Sequence, residues 1–275
     1  MAGLLDVGVI DEPVERYLAA TCTIVRTFGD REDSKALIVG VEHQGRRFVV
    51  KGSSDPAGAV WLAKAREVHA RIKHREIVPL LHAFAIPDGL ALVDPWAPGE
   101  VLVDDYDESV PARDAPGSPH HRFLGLPLQQ ILEAIRSIVD AHVAVAAAGF
   151  VAVDLYEGCV IYDFDAQQVH LIDLDHYQPG PYVLAHDRQL GSRSFMAPEE
   201  FERGAVIDER TTVYTLGRLA LVFLGCARRS DPDRSAFRGP DELFDVLLRA
   251  TSQRTGDRFE TVLDLRGAWD DAFAS

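Results

Sequence analysis

The sequence predicts an α+β protein with two lobes, a small β-rich N-terminal lobe over residues 1–96 and a larger helical C-terminal lobe over residues 97–275. Strand-like segments are concentrated before residue 96, and the longest helical patterns follow it. Between them, the prolines and glycine of segment 95–99, Pro-Trp-Ala-Pro-Gly, are typical of a hinge-like connection. A chain of 275 residues, 47% of them hydrophobic, can form one large or two modest domains.

The N-terminal lobe is predicted to contain five strands and one helix. Asp55 followed by Pro56 is a typical helix start, with the aspartate as N-cap and the proline at the first helical position, and this helix runs to about Lys73. The turn His-Gln-Gly at residues 43–45 predicts a hairpin. The strands are predicted at residues 21–26, 36–41, 46–51, 80–85 and 90–93.

The C-terminal lobe is predicted to be mostly helical. Apolar residues after Pro127 recur with a helical period as far as Gly149, and strands 160–162 and 169–172 are expected to form a hairpin. Segment 211–224 is apolar nearly all round, which predicts a buried helix. The remaining predicted elements are an exposed loop at 104–121 and amphipathic helices at 241–250 and 260–272.

Composition argues against several classes of function. The net charge of -15 argues against general nucleic-acid binding, which needs a basic face, and is compatible with a basic substrate or simply with solubility. Cys22, Cys159 and Cys226 show no metal or disulfide spacing, which favours a reducing cytoplasm. The longest uncharged apolar run, 143–153, has 11 residues, and no basic signal-peptide region is expected. We therefore expect a cytoplasmic protein without a membrane or nucleic-acid partner.

Two aspartates carry the main functional signal. Asp154 and Asp173 lie 19 residues apart, and the run Gly-Ser-Arg-Ser-Phe-Met-Ala-Pro-Glu follows at residues 191–199. This order resembles the catalytic, metal-binding and substrate-facing loops of protein kinases, and the resemblance covers roughly residues 20–270. It implies a two-lobed kinase fold and transfer of the γ-phosphate of ATP to a hydroxyl. The implied cofactors are ATP and Mg²⁺ or Mn²⁺, and the implied acceptor is a hydroxyl-bearing protein, peptide or small molecule.

The resemblance also implies residues for the nucleotide. Lys51 ends Phe-Val-Val-Lys, which is similar to the family's third-strand lysine motif, and would bind the phosphates. Glu67 is the best helix partner for this lysine, although Ala65 holds the position that the family's spacing indicates. Pro95 C=O and Ala97 N–H would contact adenine.

Two departures from the family's pattern bear on nucleotide binding. Asp94 would be an unusual polar residue at the back of the pocket. The loop that would cover the nucleotide, residues 28–34, has one glycine, Gly29, where the family has three, and its acidic residues would repel phosphate. We therefore expect modest affinity for ATP.

Asp154 takes the place of the catalytic aspartate and would accept or orient the proton of the substrate hydroxyl. Ala152 and Val153 replace the preceding His and Arg, which implies no need for phosphorylation of the activation loop. Tyr156 replaces a common lysine. Cys159 replaces an asparagine metal ligand, and since Mg²⁺ prefers oxygen, we expect a buried structural cysteine.

Asp173 would bind the metal, and Asp175 stands two residues on, where the family has glycine. Side chains at i and i+2 of an extended chain point to one side, so both carboxylates could face the metal. The alternative for Asp175 is a solvated carboxylate.

Further downstream, Ser192 stands where the Ser/Thr kinases carry threonine. Glu199 is expected to form a structural ion pair with Arg258. Thr212 replaces an aspartate of the family at the start of the buried helix. Segment 227–239, rich in Arg, Asp and Ser, leaves little room for a helix that docks protein substrates.

Three functions remain open. A Ser/Thr protein-kinase-like phosphotransferase is favoured by the 191–199 run. A small-molecule kinase of the aminoglycoside-phosphotransferase type is favoured by Asp-Leu-Asp at 173–175, by Tyr156 and by the short segment 227–239. A pseudokinase, acting as a nucleotide-binding or scaffold module, is favoured by Cys159 and by the glycine-poor loop.

Overall fold

The protein is mixed α and β, with 39% helix and 21% strand, a sheet-rich N-terminal part and a helical C-terminal part. The computed structural model describes residues 3–28, 36–104 and 111–274. Within these ranges, none of the helices combines the length and the apolar character that crossing a membrane would require.

The N-terminal part is built on one antiparallel sheet of five strands in the order β1-β2-β3-β5-β4. All five predicted strands are present, each displaced by no more than about two residues at its ends, within the usual uncertainty of such boundaries. On β3, Phe48 and Val50 are buried on one face, and Val49 and Lys51 point to the other. The strands are β1 Thr23–Thr27, β2 Leu37–His43, β3 Arg46–Ser53, β4 His82–Ile86 and β5 Gly89–Pro95.

Two helices accompany this sheet. Helix α1, Val14–Thr21, was not predicted, because it has only eight residues and begins after Pro13 without a side-chain cap. It packs Tyr17 and Leu18 into a cluster with Phe48 of β3. Helix α2, Pro56–Arg71, begins as predicted, since the Asp55 carboxylate accepts a hydrogen bond from Ala57 N–H at 2.8 Å.

The C-terminal part contains five helices among the described residues. Helix α5 is buried from Thr211 to Phe223, as its apolar pattern predicts. The predicted loop at 104–121 is wrong at its end, because a short helix begins at Pro119. Its N-cap is Ser118, whose hydroxyl accepts a hydrogen bond from His121 N–H at 3.1 Å. Residues 105–110 of that loop lie outside the described ranges. The helices are α3 Pro119–Leu124, α4 Leu128–Ala147, α5 Glu209–Phe223, α6 Asp241–Ala250 and α7 Val262–Ala274.

Short strands and single 3₁₀ turns connect these helices and carry most of the residues singled out in the sequence. The predicted hairpin is β8 with β9, to which β6 adds a third strand. The strands are β6 Glu100–Val101, β7 Phe150–Val151, β8 Val160–Asp163, β9 Gln168–Leu171, β10 Gln178–Pro179, β11 Tyr182–Val183 and β12 Val206–Ile207. The 3₁₀ turns are Glu157–Cys159, Leu174–His176, Pro198–Phe201 and Thr255–Asp257.

Candidate functional site

Two cavities meet between the N-terminal sheet and the C-terminal part. The first, of about 400 Å³, is lined by β3, by the end of β5 and by β8. The second, of about 380 Å³, is lined by the turns that carry Asp154 and Asp175. Lys51 and Asp173 line both cavities, so they mark the junction between the two. Volumes of this size are typical of small-ligand pockets.

Lys51 is the cation at this junction. Its Nζ donates hydrogen bonds to Asp173 Oδ1 at 2.9 Å and to Asp175 Oδ2 at 2.8 Å. The Lys51 side chain is 11% exposed. Burial by itself lowers the pKa of Lys51, but the charges of Asp173, Asp175 and Asp94 more than offset this, and the net result is a raised pKa. The lysine is therefore held in its charged form.

Asp173 and Asp175 converge for a different reason from the one expected. An extended chain was predicted there, but Asp173 adopts a left-handed backbone conformation with φ 65°. Asp175 follows within the 3₁₀ turn Leu174–His176. The tight turn, and not a strand-like alternation, directs both carboxylates to Lys51 while Leu174 is buried between them.

Asp94 is a third carboxylate near the lysine. It lines the first cavity at the end of β5, and its Oδ1 atom is buried without a hydrogen-bond partner among the described residues. Burial raises the pKa of Asp94, the charge of Lys51 lowers it, and the charges of Asp175 and Asp173 raise it again, so that the pKa lies at about 7. A polar atom in this state is available to a ligand in the cavity.

Asp154 is held by hydrogen bonds from Ser192 and Cys159. Its Oδ1 accepts a hydrogen bond from Ser192 N–H at 3.0 Å. Its backbone φ is 60°, and its carbonyl oxygen accepts a hydrogen bond from the Cys159 thiol at 3.2 Å. Two residues earlier, Ala152 N–H donates to the Thr212 hydroxyl at 3.0 Å, which ties this segment to α5. The Asp154 carboxylate is thereby fixed in a defined place beside the cavity.

Cys159 is buried at the base of the same loop. Burial raises its pKa well above the ordinary value, and the nearby carboxylates Asp173 and Asp154 raise it further. A neutral thiol that donates to a backbone carbonyl has a structural role, in agreement with the prediction.

Glu199 and Arg258 form a buried, bidentate ion pair. Arg258 Nη1 donates to Glu199 Oε1 at 2.7 Å, and Nη2 donates to Oε2 at 2.9 Å. The Thr211 hydroxyl adds a bond to Oε1 at 2.8 Å. Burial alone would raise the Glu199 pKa. These bonds lower it by more than burial raises it, so the net result is a lowered pKa. The pair and the Thr211 bond link the 191–199 segment to α5 and to the end of the 3₁₀ turn Thr255–Asp257.

Glu67 does not reach Lys51, so the expected pairing is not formed. The Glu67 carboxylate is 58% exposed and lies 3.6 Å from Arg71, one turn along α2. The reason is the rotation of the helix, which buries Leu62 and Ala65 against the sheet. Asp175, rather than Glu67, supplies the nearby carboxylate.

The remaining predicted residues divide into three groups. Pro95 and Ala97 line the first cavity, and their contact with adenine stays a prediction. Gly29 and the rest of the loop 29–34 lie outside the described residues. Ser192 lines the second cavity and, through its backbone N–H, contacts Asp154.

Arg228 is a site residue that sequence reasoning missed. Its Nη2 donates to the Ser192 hydroxyl at 2.9 Å, and its side chain lines the second cavity. The available signal was the Arg-Arg pair at 228–229 within the segment noted only for its shortness. His69, on the inward face of α2, was also missed and lines the first cavity.

The carboxylates fit a divalent metal only together with other ligands. No group of three or more His, Cys, Asp or Glu side chains is arranged to hold a metal ion in the described part of the chain. Asp173 and Asp175 offer two carboxylates side by side, and Mg²⁺ commonly binds to one or two carboxylates together with substrate phosphates. The pair therefore fits a metal that arrives with a phosphorylated ligand.

Comparison with known proteins adds no family assignment. No protein-family model matches the chain, and no curated protein matches it significantly.

Proposed function

We propose that this protein is an ATP-dependent phosphotransferase that resembles Ser/Thr protein kinases and transfers the γ-phosphate of ATP to a hydroxyl. The observation that carries the proposal is the convergence of Lys51, Asp173 and Asp175 within hydrogen-bond distance, from positions more than 120 residues apart. Asp154 lines the cavity that these residues share. A cation for phosphate, carboxylates for a metal and a separate carboxylate for the acceptor are the groups that phosphoryl transfer needs.

Each group has a defined task in the proposed reaction. ATP lies in the first cavity with its base near Pro95 and Ala97, in the cleft between an N-terminal and a C-terminal lobe. Lys51 binds the phosphates, and Asp173 and Asp175 would hold Mg²⁺, which neutralises phosphate charge when bound. The acceptor oxygen bonds to the γ-phosphorus, the bond to the bridging oxygen breaks, ADP leaves, and the hydroxyl proton passes to Asp154.

The test is transfer of labelled phosphate from ATP, with Mg²⁺ or Mn²⁺, to the protein itself, to added peptides and to small hydroxylated molecules. Asp154→Asn is expected to lower the rate about 100-fold or more, because the general base is lost, while ATP binding persists. Asp165→Asn is the matched control, since Asp165 is an exposed carboxylate in the β8–β9 turn. Equal rates for wild type and Asp154→Asn would contradict the proposal.

A pseudokinase is the second candidate function. The observation that favours it is Cys159, which is buried and donates its thiol to the Asp154 carbonyl oxygen at the position where the kinases carry an asparagine metal ligand. ATP binding without turnover on any acceptor would support this candidate. Turnover only with a small hydroxylated acceptor would instead support a small-molecule kinase.

A further inference from the structure

A cationic pocket lies next to the proposed transfer site. It has a volume of about 960 Å³, and Ser192, Arg193, Ser194 and Met196 of the 191–199 segment line it. Four arginines line it, Arg193, Arg218, Arg228 and Arg229, against one carboxylate among the described lining residues, Asp231. The chain as a whole has 28 Lys and Arg against 43 Asp and Glu, so the charge of this pocket is opposite to that of the whole protein.

Arg218 is a nearly buried cation without a counter-ion. It is 7% exposed on α5, and its guanidinium donates to the carbonyl oxygens of Ser194 at 3.4 Å and Arg228 at 2.9 Å. It makes no ion pair with any residue that the structure describes. Burying an unpaired charge is unfavourable, so an anionic group in the pocket would be stabilised by Arg218 and would stabilise it in return.

Arg228 links this pocket to Asp154. It lines both the pocket and the second cavity, and it donates to the Ser192 hydroxyl at 2.9 Å. The backbone N–H of the same serine donates to Asp154. Behind it, Glu157 is fully buried, lies 3.8 Å from Arg228 Nε, and is also paired with Arg113. Arg228 is therefore held in place at the junction of the pocket and the transfer site.

Arg193 and Arg229 supply exposed positive charge at the rim of the pocket. Both are exposed, and neither makes an ion pair within the described ranges. With Arg218 and Arg228 they present several separate charges in a space much larger than one phosphate ion needs. That arrangement fits a chain with anionic groups at more than one position. A long polyanion such as nucleic acid is disfavoured by the net charge of -15.

We infer that the pocket binds an acidic peptide segment, with carboxylate or phosphorylated side chains, next to the hydroxyl that receives the phosphate. The inference rests on the proposed function for the identity of that hydroxyl, but binding of the peptide does not require transfer. It names acidic protein segments as the acceptor class of this site, in contrast to the basic substrate compatible with the overall charge.

Direct binding tests the pocket. A labelled peptide with a central serine flanked by Asp and Glu is titrated with the protein, beside the same peptide with Asn and Gln. The acidic peptide is expected to bind about tenfold more tightly or better at low salt, with the preference falling at 0.5 M salt because exposed charges are screened. Equal binding of the two peptides would overturn the inference.

Charge reversal at the rim supplies the matched comparison. The double variant Arg193→Glu/Arg229→Glu is expected to lose the preference by about tenfold, since two exposed cations become anions. Arg16→Glu/Lys73→Glu makes the same change in net charge at exposed positions elsewhere and is expected to keep the preference. A preference lost equally in both variants, or kept in both, would overturn the inference. Binding of inorganic phosphate without any binding of the peptide would do so too, because it marks a site for a single ion.

The inference and the proposed function fail separately. Binding of the acidic peptide that is preserved in Asp154→Asn, with no phosphate transfer by the wild type, supports the pocket and counts against the phosphotransferase. Transfer to the neutral peptide at the same efficiency as to the acidic one supports the phosphotransferase and overturns the pocket.

Discussion

The Nζ atom of Lys51 lies 2.8 Å from Oδ2 of Asp175, a residue 124 positions later in the chain. A glutamate on the neighbouring helix was expected to take this place, but Glu67 pairs with Arg71 in solvent. The carboxylates that bind Lys51 therefore come from the turn that carries the proposed metal ligands, and not from α2. Together with the bond from Lys51 to Asp173, this contact ties β3 of the N-terminal sheet to the C-terminal part.

Replacing Lys51 by Met is expected to lower the free energy of unfolding by about 3 kcal/mol, because Asp173 and Asp175 lose the cation between them. Asp175→Asn in the same background is expected to recover about 1 kcal/mol by removing one of the repelling charges. Urea denaturation of the two single variants and the double variant measures this coupling. Strictly additive losses would show that Lys51 and Asp175 do not interact in solution.

Removal of the Asp175 carboxylate tests its proposed part in metal binding. In Asp175→Ala, the Mg²⁺ concentration that gives half-maximal phosphate transfer is expected to rise about tenfold, since one of two oxygen ligands is lost. The control is Asp165→Asn, whose carboxylate is exposed in a distant turn. An unchanged Mg²⁺ dependence in Asp175→Ala would assign Asp175 only to the pairing with Lys51.

Asp94 is expected to make stability depend on pH. Its pKa is about 7 in the folded protein, raised from the ordinary value of 3.8 by burial. Between these two values the folded state keeps a proton that the unfolded state loses, so this contribution to stability falls as the pH rises towards 7 and stays low above it. Asp94→Asn removes the effect.

The thermal midpoints of wild type and Asp94→Asn at pH 5 and pH 8 measure this dependence. The free energy of unfolding of Asp94→Asn relative to wild type is expected to be higher at pH 8 than at pH 5 by at least about 1 kcal/mol. For a chain of this size this corresponds to roughly 2–4 °C in Tm. A difference in Tm that is the same at both pH values would mean that Asp94 titrates normally.

The buried pair of Arg258 and Glu199 is expected to be structural and not catalytic. Arg258→Met leaves the Glu199 carboxylate buried without its bidentate partner, which is expected to cost about 3–5 kcal/mol of folding free energy. Arg254→Met, at an exposed pair with Asp257, is expected to cost less than about 1 kcal/mol. Chemical denaturation compares the two. Similar small losses would contradict the assignment of Arg258 to the core.

Local patterns were sufficient for most elements of the fold. The alternation of β3, the Asp55-Pro56 helix start and the apolar character of α5 each report a property of a short segment, and short segments can be interpreted without their surroundings. Helix α1 was missed because eight residues with no side-chain cap carry little local signal. Its place is set by packing against Phe48.

The sequence by itself determined the mixed α and β character, the order of the main strands and helices, and the spacing of Asp154, Asp173 and the 191–199 segment. Only the tertiary structure decided that Lys51 pairs with Asp175 instead of Glu67, because the rotation of α2 depends on which of its side chains the sheet buries. The tertiary structure alone also shows that Arg193, Arg218, Arg228 and Arg229 line one pocket. Contacts across a hundred residues follow from how whole elements pack, and no local period or motif encodes them.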